Sequence, residues 1–330
     1  MTREKIVLAG ASGFLGRPLT GALQGPQREL VVLTRDVARA SRHLAAAPEG
    51  APAAVPGGSS ASPAVRPVGW DARAVEDSWA AELDGAAAVV NLAGANLSEG
   101  RWTASRKAEL LRSRLDATSA IVGAMRRLPA ERRPGVLVNA SGIDYYGDRG
   151  DEVMHEESSP GTSFLARLCV EWEAAARQAE ALGVRVALMR TAVILAPGAT
   201  VVQRLALPFK LFAGGPLGSG GQWFSWVHLR DAVGLYRLAI ENTAASGPIN
   251  LCAPDSRPER EVARELGRLL HRPSWLPAPA FALRLALGEQ ADLVLHSRRA
   301  EPRKAMALGY TFAFPDLTAA LSQALGLAPG

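Results

Sequence analysis

The stretch VLAGASGFLGRPL, Val7 to Leu19, decides the fold. An apolar strand runs into a turn that carries Gly10, Gly13 and Gly16 at a G-x-x-G-x-x-G spacing, and a helix is expected to open near Phe14. Glycines so placed permit a tight turn and a close approach of backbone. The helix start offers free N–H groups and a partial positive charge to a pyrophosphate. A bare glycine pattern says little, but between a strand and a helix it predicts a dinucleotide site built from Gly10, Ser12, Gly13, Phe14, Leu15 and Gly16.

Outward from this stretch, strand-like runs alternate with helical ones. KIVLAG, ELVVLTR, VRPVGW, AAAVVNLAG, GVLVNASG and VRVALMRTAVIL read as strands, several apolar throughout as a doubly buried strand requires. The longest helical stretch lies near Ala104 to Leu128. The pattern predicts an α/β chain: a Rossmann-type doubly wound parallel sheet with a smaller C-terminal α+β lobe. We expect the nucleotide domain over residues 1–198, completed by about 226–252, and the smaller substrate-binding lobe over 199–225 and 253–330. A Pro-, Gly-, Ser- and Ala-rich stretch, Ala47 to Ala64, reads as a lengthened surface loop before the third strand.

Composition narrows the class. The 330 residues are 48% hydrophobic and 21% charged, with a net charge of +5, and the basic residues are scattered among acidic ones without interleaved aromatics. No nucleic-acid footprint follows. Cys169 and Cys252 match no metal spacing and no disulfide framework, so no metal is expected and a reducing compartment is the simplest account. No run approaches 18 consecutive apolar residues and no leader-like segment opens the chain. The expectation is a cytoplasmic protein with a small-molecule substrate and no membrane partner; nothing in the sequence speaks for or against a homo-oligomer.

The end of the second strand selects the dinucleotide. NAD sites place an acidic residue there for the ribose 2′-hydroxyl, whereas NADP sites place positive charge for the 2′-phosphate. Here Thr34 and Arg35 hold the position, with Asp36 next to them as a competitor should it turn inward. A guanidinium binds phosphate in a fork, so NADP is favoured. The fourth strand ends in Asn91, Leu92, Ala93 and Gly94, and small residues at a strand's carboxyl end let a cofactor lie against backbone. Trp70 and Asp71, closing the third strand, are candidates to touch an adenine.

GASGFLG, NLAGANL, RWTASRKAELLRSRLDAT, SGIDYYG, FLARLCVEWEAAA, MRTAVIL, GGPLGSGGQWFSWVHLRD and RRAEPRKAMALGYTFAFPDLTAAL occur in that order. Together they resemble the atypical short-chain dehydrogenase/reductase group labelled epimerase family proteins, kin of the extended sugar-nucleotide epimerases. The resemblance covers nearly the whole chain. It implies an NADP-binding Rossmann lobe, a small C-terminal lobe, and cofactor contacts from Glu109 and Arg114 on the long helix and from the backbone of Val193 and Ile194.

One feature departs from that pattern. Short-chain dehydrogenases carry a Tyr and, four residues on, a Lys in the helix that follows the fifth strand; here the slots hold Phe164 and Leu168, or Leu165 and Cys169. A tyrosine donates a proton near neutral pH only when a neighbouring cation lowers its pKa from about 10. The remaining candidates for catalysis are Ser141, Tyr145 and Tyr146 in NASGIDYYG, with no lysine nearby in sequence. His228 reads as structural, just before a helix that Asp231 would help to start, and Arg299 and Arg303 as candidates to pair with an anionic substrate. Two functions fit: an NADP-dependent, epimerase-like oxidoreductase acting on a small substrate, free or nucleotide-linked, or a catalytically silent NADPH-binding protein.

Overall fold

The computed structural model describes residues 3–45 and 64–327. The stretch Ala47 to Ala64 lies outside them except for its last residue. Seven strands form one sheet: β1 (Glu4–Ala9), β2 (Arg28–Thr34), β3 (Ala64–Gly69), β4 (Ala88–Asn91), β5 (Val136–Gly142), β6 (Arg185–Thr191) and β7 (Gly247–Leu251). Their spatial order is β7-β6-β5-β4-β1-β2-β3, and every neighbouring pair is parallel. This is the doubly wound Rossmann order, reversing direction between β1 and β4.

Alternate residues of each strand point to opposite faces, so both faces need cover. Ile6, Leu8, Leu30, Val32, Val90 and Val138 pack under α1 (Gly16–Leu23) and α5 (Leu229–Glu241). Val7, Val31, Val89, Leu137 and Leu188 pack under α3 (Ala104–Arg127) and the end of α4 (Phe164–Arg177). That double burial is why these strands read as unbroken apolar runs. A further helix, α2 (Val37–Ala45), follows β2.

Local chemistry sets the helix starts. Thr103 Oγ1 accepts the Arg106 N–H and Ser163 Oγ accepts the Ala166 N–H, each satisfying a donor that the first helical turn leaves open. Before α5 the cap is His228, whose Nδ1 accepts the Arg230 N–H, and not Asp231. The Asp231 carboxylate is turned the other way and accepts the backbone N–H groups of Ala313 and Phe314. Helix α1 opens at Gly16, two residues beyond the expected Phe14, because residues 13–15 complete the glycine turn. The run 184–195 is also not one strand. It breaks at Ala192, whose N–H bonds to Leu251, and Val193–Leu195 pairs instead with Trp226–His228.

A second core gathers Leu195, Val202, Phe209, Trp226, Val262, Leu266, Leu317 and Leu321 in the C-terminal part of the chain. At its edge the buried Glu259 opens the helix Glu259–Leu270 and accepts the Leu217 N–H. Burial pushes its carboxyl up from 4.5 to about 7. Between those pH values the folded chain keeps a proton that the unfolded chain has released, so this group makes stability fall as pH rises through the window and level off above it. Glu259→Gln is expected to flatten the decline in melting temperature between pH 5 and 8. An unaltered slope would assign the pH dependence to other groups.

No helix among the described residues is long and apolar enough to cross a membrane.

Candidate functional site

The parallel register brings the carboxyl ends of β1, β2, β4 and β5 level, with Ala9 beside Leu33 and Asn91, and Asn91 beside Asn139. Every segment that follows opens at the same end of the sheet. There the three glycines have three different surroundings. Gly10 has φ +78°, and a Cβ on it would stand 2.7–2.9 Å from the backbone of Leu92 and Ala93, so only glycine lets β1 and β4 end this close. A Cβ on Gly16 would meet Ala11 backbone at 2.5 Å, where α1 packs on the turn. Gly13, by contrast, faces open space, with only Gly10 O at 3.4 Å. Ser12, Gly13 and Phe14 are exposed along the rim of this cradle and Leu15 is half-buried.

At the end of β2 Thr34 Oγ1 accepts the Asp36 N–H, and Asp36 accepts the Arg39 N–H at the start of α2. The carboxylate is thus turned into its own helix and does not compete inward. Arg35 is exposed beside it. Trp70 is buried against Trp79, and Asp71 accepts the N–H groups of Arg73 and Ala74.

The turn after β4 is held by a buried amide relay. Asn91 Nδ2 donates to Thr118 Oγ1 and Asn139 Oδ1, Asn91 Oδ1 accepts the Ala93 N–H, and Trp172 Nε1 donates to Thr118 Oγ1. Beneath this turn lies Arg114, 7% exposed, with its guanidinium 3.1 Å from where a Gly94 Cβ would stand. It stacks at 5.0 Å on Trp172 and donates to Leu110 O, and its Nε has no acceptor among the described residues. Burial lowers its pKa to about 10, so it remains charged at neutral pH. Glu109, on the outer side of the same helix, is exposed and pairs with Arg106 at 2.7 Å. Val193 and Ile194 are half-buried in the short strand beside residues 226–227.

Beyond β5 the three catalytic candidates part company. Ser141 is buried and donates to Glu173 Oε1 at 2.7 Å. Glu173 also receives a two-pronged bond from Arg190, at 2.8 Å to each oxygen. Arg190 sits beside Ser141 in the strand register and bonds the Tyr146 hydroxyl, which itself donates to Asn250. Tyr146 is fully buried, and burial pushes its phenol well above the ordinary range. Burial alone would lower the Arg190 pKa, but Glu173 more than reverses this and raises it. Tyr145 is different. It is half-buried, its ring lies 3.5 Å from the Arg190 guanidinium carbon, and its hydroxyl has no hydrogen-bond partner among the described residues.

The slots of the missing Tyr-Lys pair face this cluster from α4. Leu165, Leu168 and Cys169 are buried with Trp102, Leu110 and Trp172, and burial pushes the Cys169 thiol up to about 12. Phe164 lines a cleft of about 210 Å³ with Trp102, Lys107, Arg167, Asp292 and His296. The sequence reading missed Glu173, Arg190, Asn250 and Arg298. The last reaches Asp144 at 2.7 Å from the C-terminal lobe, whereas Arg299 stacks on Trp223 and Arg303 pairs with Glu301. A charged residue inside the apolar run VALMRTAV was the signal available for Arg190.

The strand order, the glycine turn and the buried cation beneath Gly94 together define a Rossmann-type nucleotide-binding protein of the short-chain dehydrogenase kind. Residues 6–252 match the NAD dependent epimerase/dehydratase family, and the chain belongs to it. Residues 278–324 match a domain of unknown function, DUF1731. The chain is 39% identical to the chloroplastic epimerase family protein SDR39U1 homolog of Arabidopsis thaliana, over 96% of this chain and 85% of that one. It is 32% identical to epimerase family protein YfhF of Bacillus subtilis, over 96% and 97%. The crystal structure of human epimerase family protein SDR39U1 (isoform 2) with NADPH superposes with a TM-score of 0.79 at 30% identity, covering 98% of this chain and 100% of that one.

Proposed function

We propose that the chain binds NADP(H) and acts as an epimerase-like oxidoreductase on a small substrate, free or nucleotide-linked. The observation that carries this reading is the cation beneath Gly94. A buried guanidinium with no bonded carboxylate and an open Nε among the described residues is costly unless an anionic or accepting group completes it. The binding of NADPH by the human relative is consistent with that requirement. Backbone N–H groups of the turn from Gly10 to Gly16 would hold the pyrophosphate, Arg35 the 2′-phosphate, and Leu92 to Gly94 the ribose. When bound, the cofactor supplies or accepts a hydride. The chain's own task is then to move a proton, and Tyr145 is the candidate with a free hydroxyl and a cation against its ring; Tyr146 bonds Arg190 directly, and Ser141 bonds the Glu173 carboxylate that holds it. The lobe of residues 199–225 and 253–330 covers the substrate.

A charged phosphate contact contributes ~1.5–3 kcal/mol. Arg35→Ala should therefore weaken NADPH binding about ten-fold or more and leave NADH little changed. Fluorescence titration of both nucleotides checks this, and equal affinities in the unmodified chain would sink the NADP assignment. The apolar occupants of the Tyr-Lys slots support a second reading, a silent NADPH-binding protein, which predicts tight binding without turnover.

A further inference from the structure

We infer that the C-terminal lobe carries a docking face for an anionic lipid surface. Five large apolar side chains stand bare together: Leu207, Leu211 and Phe212 at the end of the helix Thr200–Lys210, and Trp275 and Leu276 on a later segment, 44–68% exposed. Backbone bonds join the two segments, since the N–H groups of Trp275 and Leu276 both donate to Gly214 O and Trp275 Nε1 donates to Phe212 O. Phe281 and Leu285 follow, four residues apart on one side of the helix Ala280–Leu287, which has no buried residue. Single exposed apolar residues are ordinary; a group of this size marks a contact surface.

Charge selects the occupant. No acidic residue occurs between Glu180 and Asp231, and none between Glu265 and Glu289. The same segments carry Arg204, Lys210, Arg272, which stacks at 4.4 Å on Phe212, and Arg284, which lies 3.9 Å from Asp292. Arg204 and Lys210 are exposed and have no carboxylate partner among the described residues. A second copy meeting this face on a two-fold axis would set these cations against themselves. An anionic bilayer accepts both components: Leu, Phe and Trp enter the headgroup boundary while Arg and Lys meet the phosphates. The face rests on a membrane and does not cross it, which qualifies the sequence expectation of no membrane partner.

The test is co-sedimentation of the full chain with vesicles of phosphatidylcholine alone or mixed with phosphatidylglycerol, at low and high salt. Binding should be about ten-fold or more stronger to the anionic vesicles and should weaken with salt. Leu211→Glu with Phe212→Glu should abolish it, and Arg204→Glu with Lys210→Glu should reduce it about ten-fold, with melting temperature and NADPH affinity unchanged. A blue shift of Trp fluorescence on anionic vesicles gives an independent readout in the unmodified chain. Equal binding to both vesicle types, or none, overturns the proposal. So does a concentration-dependent dimer that Phe212→Glu dissociates, which would make a second copy the occupant.

Discussion

Glu173→Ala is expected to destabilise the chain by about 3–5 kcal/mol, because it leaves the Arg190 guanidinium buried without its counter-charge. Arg190 and Glu173 are 2% and 4% exposed at their side chains, so solvent cannot compensate. The loss extends to Ser141, whose hydroxyl donates to the same carboxylate. Replacing both ends, Glu173→Leu with Arg190→Met, should cost less than the sum of the two single changes, since no isolated charge remains. Denaturant melts of the four proteins measure this. Additivity within about 0.5 kcal/mol would show that the pair is not coupled as its geometry implies.

Tyr145→Phe is expected to lower turnover about 10²–10⁴-fold with NADPH affinity unchanged, the range in which a positioned acid contributes. The cation against its ring is Arg190, whose guanidinium carbon lies 3.5 Å from the ring centroid. Tyr146→Phe should act differently: its hydroxyl is shared between Arg190 and Asn250 in the core, so the change should appear first in stability. The measurement is NADPH oxidation screened against carbonyl compounds and nucleotide sugars, then repeated with Ser141→Ala, Tyr145→Phe and Tyr146→Phe. Full activity in Tyr145→Phe would remove it as the donor. No turnover of any substrate beside tight NADPH binding would favour the silent-binder reading.

The nucleotide end of the molecule was legible because its chemistry is local. Val7 to Leu19 contains the strand, the turn and the helix start, and Gly10 and Gly16 meet backbone that an added Cβ would strike while Gly13 faces open space. Of the cluster around Tyr145, the segment with Ser141, Tyr145 and Tyr146 was legible and its partners were not. Tyr146 and Asn250 lie 104 residues apart and Arg190 and Glu156 lie 34 apart, so only the folded sheet brings them together. The strand β7 was not among the strands read from the sequence, although residues 226–252 were assigned to the nucleotide domain. It is five residues long and contains Pro248, which cannot donate to a ladder and is tolerated here because the strand lies at the sheet's edge. The break at Ala192 was hidden for a related reason: the run stays apolar across it, and only the change of partner from β7 to residues 225–228 ends the strand.

The late arrival of β7 bears on how the chain is made. Gly247–Leu251 joins the sheet beside β6 only after the intervening residues have been laid down. Until then the outer edge of β6, with Val186 to Met189 at its centre, has no neighbour on that side. Bare apolar edges pair readily with strands of other molecules. A nascent chain on the ribosome therefore passes through an interval in which its nucleotide lobe is a template for aggregation, and a gene fragment stopped at Gly198 would remain in that interval permanently.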